Sequence, residues 1–284
     1  MKQPAHQREV KFTHTDKVMF PAAALTKADL LDYYARIADK LLPHLRDRPM
    51  TLERFPDGIR KDAPHFWQKN TPPYYPKWIP RVSIRSEDGK QVQYLLVNER
   101  AALLYLVNQG TITFHAWFSR WRTPDRPDFV LFDIDPHQST FPNAIRVAKE
   151  LHDVLAEDGV RGFLKSSGKS GLHVMTPWKR AEGYDGVRAW ARSIASRVVA
   201  RIPDSATVER RIEKRGRRVY LDVEQNARGK HVVPPYIVRA TPTATVSMPL
   251  DWKQLTARLD PAKFTIRTAV KALGRRKDLW EGLP

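Results

Sequence analysis

Three features of the 284-residue sequence predict an α/β (α+β) fold with a central, partly antiparallel sheet. Short apolar runs bounded by turn residues recur along the chain, among them "MTLERF", "TITFHAWFSRW", "DFVLFDIDP" and "RVYLDVEQN". Long amphipathic stretches of helical period lie between them, without strict βαβ alternation. With 42% hydrophobic residues at this length, the chain holds enough apolar surface for a real core. No internal repeat, low-complexity tract or obvious linker divides it, so one continuous unit is expected over 1–284.

The elements follow in order. The polar opening "MKQPAHQREVKF" predicts no signal peptide. A first helix is expected over "TKADLLDYYARIADKLLPHL", with Thr26 as N-cap, Asp29 completing a capping box, and Leu30, Tyr33, Tyr34, Ile37 and Leu41 on one face. A strand at 50–55 leads to the Pro-rich connection "PPYYPKWIP". "RVSIRSEDGKQVQYLLV" reads as a hairpin turning at Asp88-Gly89. "NERAALLYLVNQG" reads as a short helix capped by Asn98 and closed by Gly110. The alternating strand "TITFHAWFSRW" and the strand ending at Pro136 come next. "STFPNAIRVAKELHDVLAEDG" then places Val147, Leu151, Val154 and Leu155 on one helical face, with Gly159 past its end. "RGFLKSSGKSGLHVMTP" reads as strand, glycine turn, strand. "GYDGVRAWARSIASRVVARIP" is a long helix with Val187, Trp190, Ala191, Ile194, Val198 and Ile202 aligned. A strand through "RVYLDVEQN", a Pro/Thr-rich loop and a terminal helical segment complete the chain.

Charge narrows the function. The net charge is +18 and the pI about 10.2, a basic excess of the kind that meets a polyanion. No basic amphipathic helix with an exposed apolar face is evident, and no apolar run approaches ~18 residues, so no membrane partner is expected. The absence of Cys excludes disulfides and thiolate zinc sites and fits a reducing cytoplasm.

The chemistry concentrates in three stretches. In "DFVLFDIDP", Asp133 and Asp135 are two apart in a strand, so they project to one side while Ile134 points into the core. Two carboxylates held together repel unless a proton or cation sits between them, and hard cations such as Mg²⁺ and Mn²⁺ favour such oxygens. The competing reading is a strand-end pair that caps the next helix or meets a nearby Arg. "VYLDVEQN" supplies Asp222 inside another apolar strand, with Glu224 on the same face. Three carboxylates on neighbouring strands suit two metals roughly 3.5–4 Å apart, the clamp for in-line attack at phosphorus. Alternatively, Asp222 is a buried aspartate paired with an upstream arginine. Between the two strands lies "SSGKSGLHV", whose glycines permit an anion nest of backbone N–H groups. Ser167, Ser170, Lys169 and His173 add donors. The spacing is not that of a Walker A loop, and a plain hairpin turn is the bland alternative.

"FDIDP", "SSGKSGLHV" and "YLDVEQN" resemble the three motifs of the archaeo-eukaryotic primase superfamily, most specifically the polymerase domain of bacterial ligase D and its stand-alone relatives in end joining and gap repair. The likeness extends through "HTDKVMFP", "TLERFPDGI", "FWQKN", "LLYLVNQGTITFHAW" and "VRATPTATVSMPLDW". It implies a primase-polymerase core with a central mixed sheet flanked by helices, at about 111–284, and an N-terminal module at about 1–110 packed on it. It implies template-directed nucleotidyl transfer with two Mn²⁺ or Mg²⁺ ions and NTP or dNTP substrates. The partners implied are gapped or broken duplex DNA with a 5′-phosphate end, a DNA ligase and a Ku-like end-binding protein. The compartment implied is a prokaryotic, nucleoid-associated cytoplasm.

Carried over position by position, the resemblance makes Asp133, Asp135 and Asp222 the metal ligands and catalytic acids. Ser167, Lys169, Gly171 and His173 become the triphosphate pocket, His115 approaches the nucleotide, and Arg215 and Arg239 contact phosphates. Lys17 and Lys27 map to a 5′-phosphate pocket, Lys27 in the first turn of a helix where backbone N–H groups assist. Phe66 and Trp67 would stack on template bases. For His115 the rival reading is an ordinary strand histidine; for the arginines and lysines, surface charge; for Phe66 and Trp67, core aromatics. The sequence departs from the pattern at Lys169-Ser170, which relatives commonly reverse, and at Glu53, where relatives often carry a basic residue near the template. No K-x-D-G ligase motif appears, so a stand-alone polymerase or an excised domain is expected. The alternatives are a primase that starts chains unaided, a two-metal nuclease, and a non-catalytic end-bridging protein.

Overall fold

The computed structural model describes residues 8–86, 88–274 and 278–284; Glu87 in the expected hairpin turn and most of the polar opening lie outside them. The chain begins with a small antiparallel pair, β1 (Val18–Phe20) and β2 (Leu25–Thr26), and helix α1 (Lys27–Leu45). Strands β3 (Met50–Arg54), β4 (Phe66–Gln68), β5 (Arg81–Arg85) and β6 (Gln91–Leu95) precede helix α2 (Arg100–Asn108) and strands β7 (Thr111–Trp117) and β8 (Phe129–Asp135). Helix α3 (Phe141–Glu157), strands β9 (Phe163–Ser166) and β10 (Leu172–Pro177), and helix α4 (Tyr184–Arg201) follow. The chain ends through β11 (Ala206–Thr207), the single turn α5 (Ile212–Arg215), β12 (Val219–Asp222), β13 (His231–Val232), β14 (Pro249–Leu250) and α6 (Ile266–Leu273).

The expected mixed sheet is present, and a second sheet matches it in size. The first has the order β11-β12-β8-β10-β9-β14, with β11 parallel to β12 and the other neighbours antiparallel. The second runs β13-β7-β3-β6-β5, with β4 also paired to β3. Strand β7 is buried along its whole length. Its Ile112, Phe114 and Ala116 join the core that contains α1, while Thr111, Thr113 and His115 occupy the opposite face. The alternation read from the sequence therefore separates two buried environments instead of a core and a solvent face.

Strand β8 divides its side chains in the same way. Val130, Phe132 and Ile134 pack with Leu151 and Val154 of α3 and with Val187, Ile194 and Val198 of α4. That leaves Leu131, Asp133 and Asp135 on the other face. The helices form where the period predicted, and Thr26 and Asp29 close the capping box that starts α1. One cap differs. Glu99, not Asn98, precedes α2, and it makes no side-chain cap. Asn98 is engaged elsewhere: its Oδ1 accepts from Asp47 N and its Nδ2 donates to Asp47 Oδ1, both at 2.8 Å. The two-residue strands β11, β13 and β14 are too short to show a period in sequence.

Arg48 ties these layers together. It is 1% exposed, and its guanidinium donates to Asp128 Oδ2 and Pro284 O at 2.8 Å and to Phe118 O at 2.9 Å. Removing the carboxylate strands a buried cation, which costs more than the pair itself contributes. Asp128→Asn is expected to lower unfolding free energy by about 3 kcal/mol in urea denaturation.

Candidate active site

The site is a row across the first sheet. In register, Asp133 of β8 stands opposite Asp222 of β12 on one side and His173 of β10 on the other, and His173 stands opposite Lys165 of β9. Directly opposed residues share a face, so four ionisable side chains line up, with Asp135 two residues along from Asp133. The carboxyl of Asp133 is pushed up to about 7, by burial first and then by Asp222 and Asp135. It still keeps 31% of its side chain exposed. Burial holds the His173 imidazole well below its ordinary value, with Lys165 and Arg239 adding to the effect. Burial and Arg239 likewise hold Lys165 down.

The three aspartates are neighbours, but each end of the trio is engaged locally. Asp135 Oδ1 accepts from His137 N at 3.0 Å, and Asp222 Oδ1 accepts from Glu224 N at 2.8 Å. Among the described residues no three His, Asp or Glu side chains are gathered as metal ligands. Asp222 is the last residue of its strand, not central in it. Glu224 is drawn away by Arg192, which donates to both its carboxylate oxygens at 2.7 and 2.6 Å.

The glycine turn between β9 and β10 closes over this row. Gly168 has φ +73, and a Cβ there would lie 2.5 Å from Arg239 Cγ. A Cβ on Gly171 would lie 2.3 Å from the carbonyl oxygen of Ile134, so only glycine lets the turn rest on β8 between the two aspartates. Ser167 Oγ accepts from Lys169 N at 3.1 Å and Gly171 N at 3.0 Å. The expected anion nest is thus filled by its own serine, the nearest available acceptor. Arg239 Nη1 donates to Ser167 O at 3.0 Å.

A cavity of about 320 Å³ opens beside the row. Asp133, Asp135, Lys169 and His173 line it from the first sheet and its turn, His115 and His231 from the second sheet, and Arg239 from the loop between β13 and β14. Burial pulls His115 down to about 4 and His231 to about 3, so both imidazoles are neutral near pH 7. His115 Nε2, His231 Nδ1 and Arg239 Nε are buried without hydrogen-bond partners. Such atoms, on residues that line the cavity from different elements, fit a site that takes a polar ligand. Glu53 is 9% exposed with Oε2 3.6 Å from His115 Nε2, so it lies beneath the imidazole and not at a template surface.

The remaining expected residues divide. Phe66 and Trp67 are 42% and 49% exposed, which excludes the core reading. Trp67 leans on His115 at 4.5 Å and stacks on His231 at 5.8 Å, placing it at the cavity rim. Lys17 and Lys27 are adjacent, with Lys27 N donating to Lys17 O at 2.8 Å. Lys17 Nζ is 3.0 Å from both Pro56 O and Asp57 Oδ1. Lys27 is buried, and its Nζ donates to Thr13 O at 2.8 Å and Asn108 O at 3.1 Å. Arg215 is outside the cavity lining. It is buried against Tyr220 at 3.7 Å and donates to the carbonyls of Glu209 and Arg210, holding its loop. Two residues of the site were not singled out in the sequence. Lys165 could have been found by pairing the hairpin in register, which sets it opposite His173. His231 depends on the long-range pairing of β13 with β7, which leaves no local signal.

Comparison with known proteins agrees with this geometry. Residues 26–280 match the LigD primase-polymerase domain. The chain belongs to this family. It is 32% identical to the bifunctional non-homologous end joining protein LigD of Bacillus subtilis, over 96% of this chain and 44% of that protein. It is 29% identical to the multifunctional non-homologous end joining DNA repair protein LigD of Mycobacterium tuberculosis, over 98% of this chain and 37% of that protein. The chain therefore spans less than half the length of these LigD proteins. Its structure is similar to the polymerase domain of Mycobacterium tuberculosis ligase D in complex with DNA, with a TM-score of 0.89, 28% identity and 98% of each chain covered. The family resemblance read from the motifs is borne out, as is the LigD polymerase-domain fold.

The raised Asp133 makes a testable demand on the LigD-type site. Its folded pKa of about 7 exceeds the ordinary 3.8, so the native state binds the extra proton between these values. Asp133 therefore subtracts stability progressively as pH rises from about 4 to about 7. Asp133→Asn should match the wild type near pH 4 and be more stable above pH 7, by on the order of 1 kcal/mol after allowance for screening. Thermal melts of metal-free protein across this range check it.

Proposed function

We propose that the chain is a DNA-repair polymerase of the non-homologous end-joining type that fills short gaps or break ends from nucleoside triphosphates. The observation that carries this reading is the row in which Asp133 lies between Asp222 and His173, at a cavity that Lys169 and Arg239 also line. Closely spaced acids beside basic groups suit a polyphosphate together with cations, whereas an end-bridging protein has no need of either. We read residues 1–284 as one primase-polymerase unit, with a module at about 1–110 packed on a core at about 111–284. Among the described residues, no helix is long and apolar enough to cross a membrane.

The donor set fits divalent cations: all hard oxygen, with mutual repulsion that lifts Asp133 toward neutrality. Asp133, Asp135 and Asp222 would hold two such ions, Mn²⁺ or Mg²⁺, which when bound favour ionisation of the attacking hydroxyl and neutralise phosphate charge. The protein's own groups do the rest. Lys169 and Arg239 attract the triphosphate, and Ser167, Gly171 and His173 shape its seat. His115, held neutral by burial, offers a hydrogen bond without adding charge. The primer 3′-hydroxyl then attacks the α-phosphorus and pyrophosphate leaves. Trp67 and Phe66 supply exposed aromatic faces for unpaired template bases. The basic surface tracks the DNA backbone, with Lys17 and Lys27 at the 5′-phosphate across the gap. A ligase and a Ku-like protein are the partners this role requires, in a bacterial cytoplasm.

Primer extension on a gapped duplex, with and without the 5′-phosphate, comparing ribo- and deoxyribonucleotides in Mn²⁺ and Mg²⁺, tests the reading. Dinucleotide synthesis on a single-stranded template without a primer would instead make the protein a primase. Asp133→Ala or Asp135→Ala should reduce extension at least ~10³-fold with the fold intact; a loss below tenfold would remove these residues from catalysis.

The paired change Lys17→Ala, Lys27→Ala should weaken binding to a 5′-phosphorylated gap roughly tenfold more than to the 5′-hydroxyl form, because each charge-assisted hydrogen bond lost is worth about 1.5–3 kcal/mol. Equal weakening on both DNAs would show that these lysines lend only general charge. Comparing the two DNAs cancels any loss of fold caused by uncovering Thr13 O and Asn108 O.

A further inference from the structure

Lys165 is fully buried in β9, beside His173 in register and two strands from Asp133. Its Nζ makes two contacts, 2.6 Å to Ser247 Oγ and 2.8 Å to His173 Nδ1. Ser247 settles the direction of the first. Its hydroxyl donates to the Ser166 carbonyl at 2.9 Å, so its Oγ accepts from Lys165. The second contact follows. As an ammonium, Lys165 has no lone pair and donates to Nδ1. As a neutral amine it has two N–H groups, one already directed to Ser247. Accepting from an Nδ1–H would strand the other N–H in a sealed interior, a costly and rare state for a buried donor. Donating to Nδ1 uses both. Either charge state gives the same arrangement, and a neutral ring whose Nδ1 accepts carries its proton on Nε2.

We propose that Lys165 is a positioning residue that locks His173 in the Nε2–H tautomer, so that His173 presents an N–H donor to the cavity. Nε2 lies 3.4 Å from Asp133 Oδ1, and His173 lines the cavity. An N–H there favours an oxygen lone pair, that of Asp133 in the free protein and that of a phosphate when nucleotide is bound. It also removes His173 from the set of metal ligands, since coordination through Nε2 needs the lone pair that the proton occupies. The clause about nucleotide rests on the function proposed above; the tautomer does not.

The test uses protein labelled with ¹⁵N at its 9 histidines. Long-range ¹H–¹⁵N correlation spectra distinguish the two neutral tautomers, and His173→Gln identifies the signal. The free wild-type protein is expected to show Nε2–H; an Nδ1–H ring or an even mixture overturns the proposal. This measurement needs neither nucleotide nor a Lys165 variant, so it decides even if that variant does not fold. In folded Lys165→Met, which has similar length and no donor, the His173 signal should shift toward a tautomer mixture. Affinity for a nonhydrolysable ATP analogue should fall about tenfold, as expected for one charge-assisted hydrogen bond. A variant that keeps the wild-type tautomer and affinity also overturns it. Wild-type protein that binds no nucleotide would instead sink the proposed function and leave the tautomer result standing.

Discussion

Crowding three carboxylates onto one face of a sheet is unfavourable in the free protein, and much of the surrounding structure answers to it. Burial and two like-charged neighbours lift Asp133 to about 7, so the fold carries this residue at a cost near neutral pH. The opposing charges are placed to limit that cost without cancelling it. Lys165 and Arg239 both lower the Asp133 pKa, and among the described residues neither forms an ion pair with it. A direct pair would quench the negative field of the row. A group two strands away, or across the turn, stabilises the row and leaves its oxygens accessible.

The same constraint shapes the two sheets. The row has to be covered from above, or water would screen it, and the cover must not bring more negative charge. The second sheet supplies His115 and His231, neutral because they are buried, and the glycine turn supplies backbone. The turn approaches so closely that a Cβ at residue 171 would overlap the Ile134 carbonyl. Site and fold are coupled here: Ile134 is the core residue between the two aspartates, so its burial under α3 and α4 sets the height at which the turn rests.

Much of this was legible in the sequence. The helices declared themselves through apolar period and caps, and Asp133, Asp135, Asp222 and the glycine turn through their exceptional setting in apolar strands. What stayed hidden depends on pairing between distant segments. The second sheet assembles strands from 50 to 117 with His231-Val232, and a two-residue strand has no period to read. Asn98 looked like a helix cap because local sequence cannot reveal that Asp47 competes for its side chain. For Arg215 the family resemblance implied a phosphate contact, and the basic run around it suggested surface charge; neither could show that its guanidinium donates to the carbonyls of Glu209 and Arg210.

That last point extends to the groups expected to meet DNA and nucleotide. Ser167 fills the nest of its own turn, Lys17 pairs with Asp57, and Lys27 binds two carbonyls. These contacts differ in how readily they yield. Lys17 and Asp57 are 32% and 50% exposed, and an exposed pair of this kind contributes at most about 1 kcal/mol, so a phosphate displaces it easily. Lys27 is different. Its ammonium is buried and partly desolvated, with its pKa lowered by burial and then by Lys17. A group that has already lost water, and that sits beside a like charge, gains more from an arriving dianion than a solvated lysine does, because less hydration remains to be stripped. In the free protein both lysines are thus held by internal partners, and the more deeply set of the two would gain more by exchanging them for a phosphate.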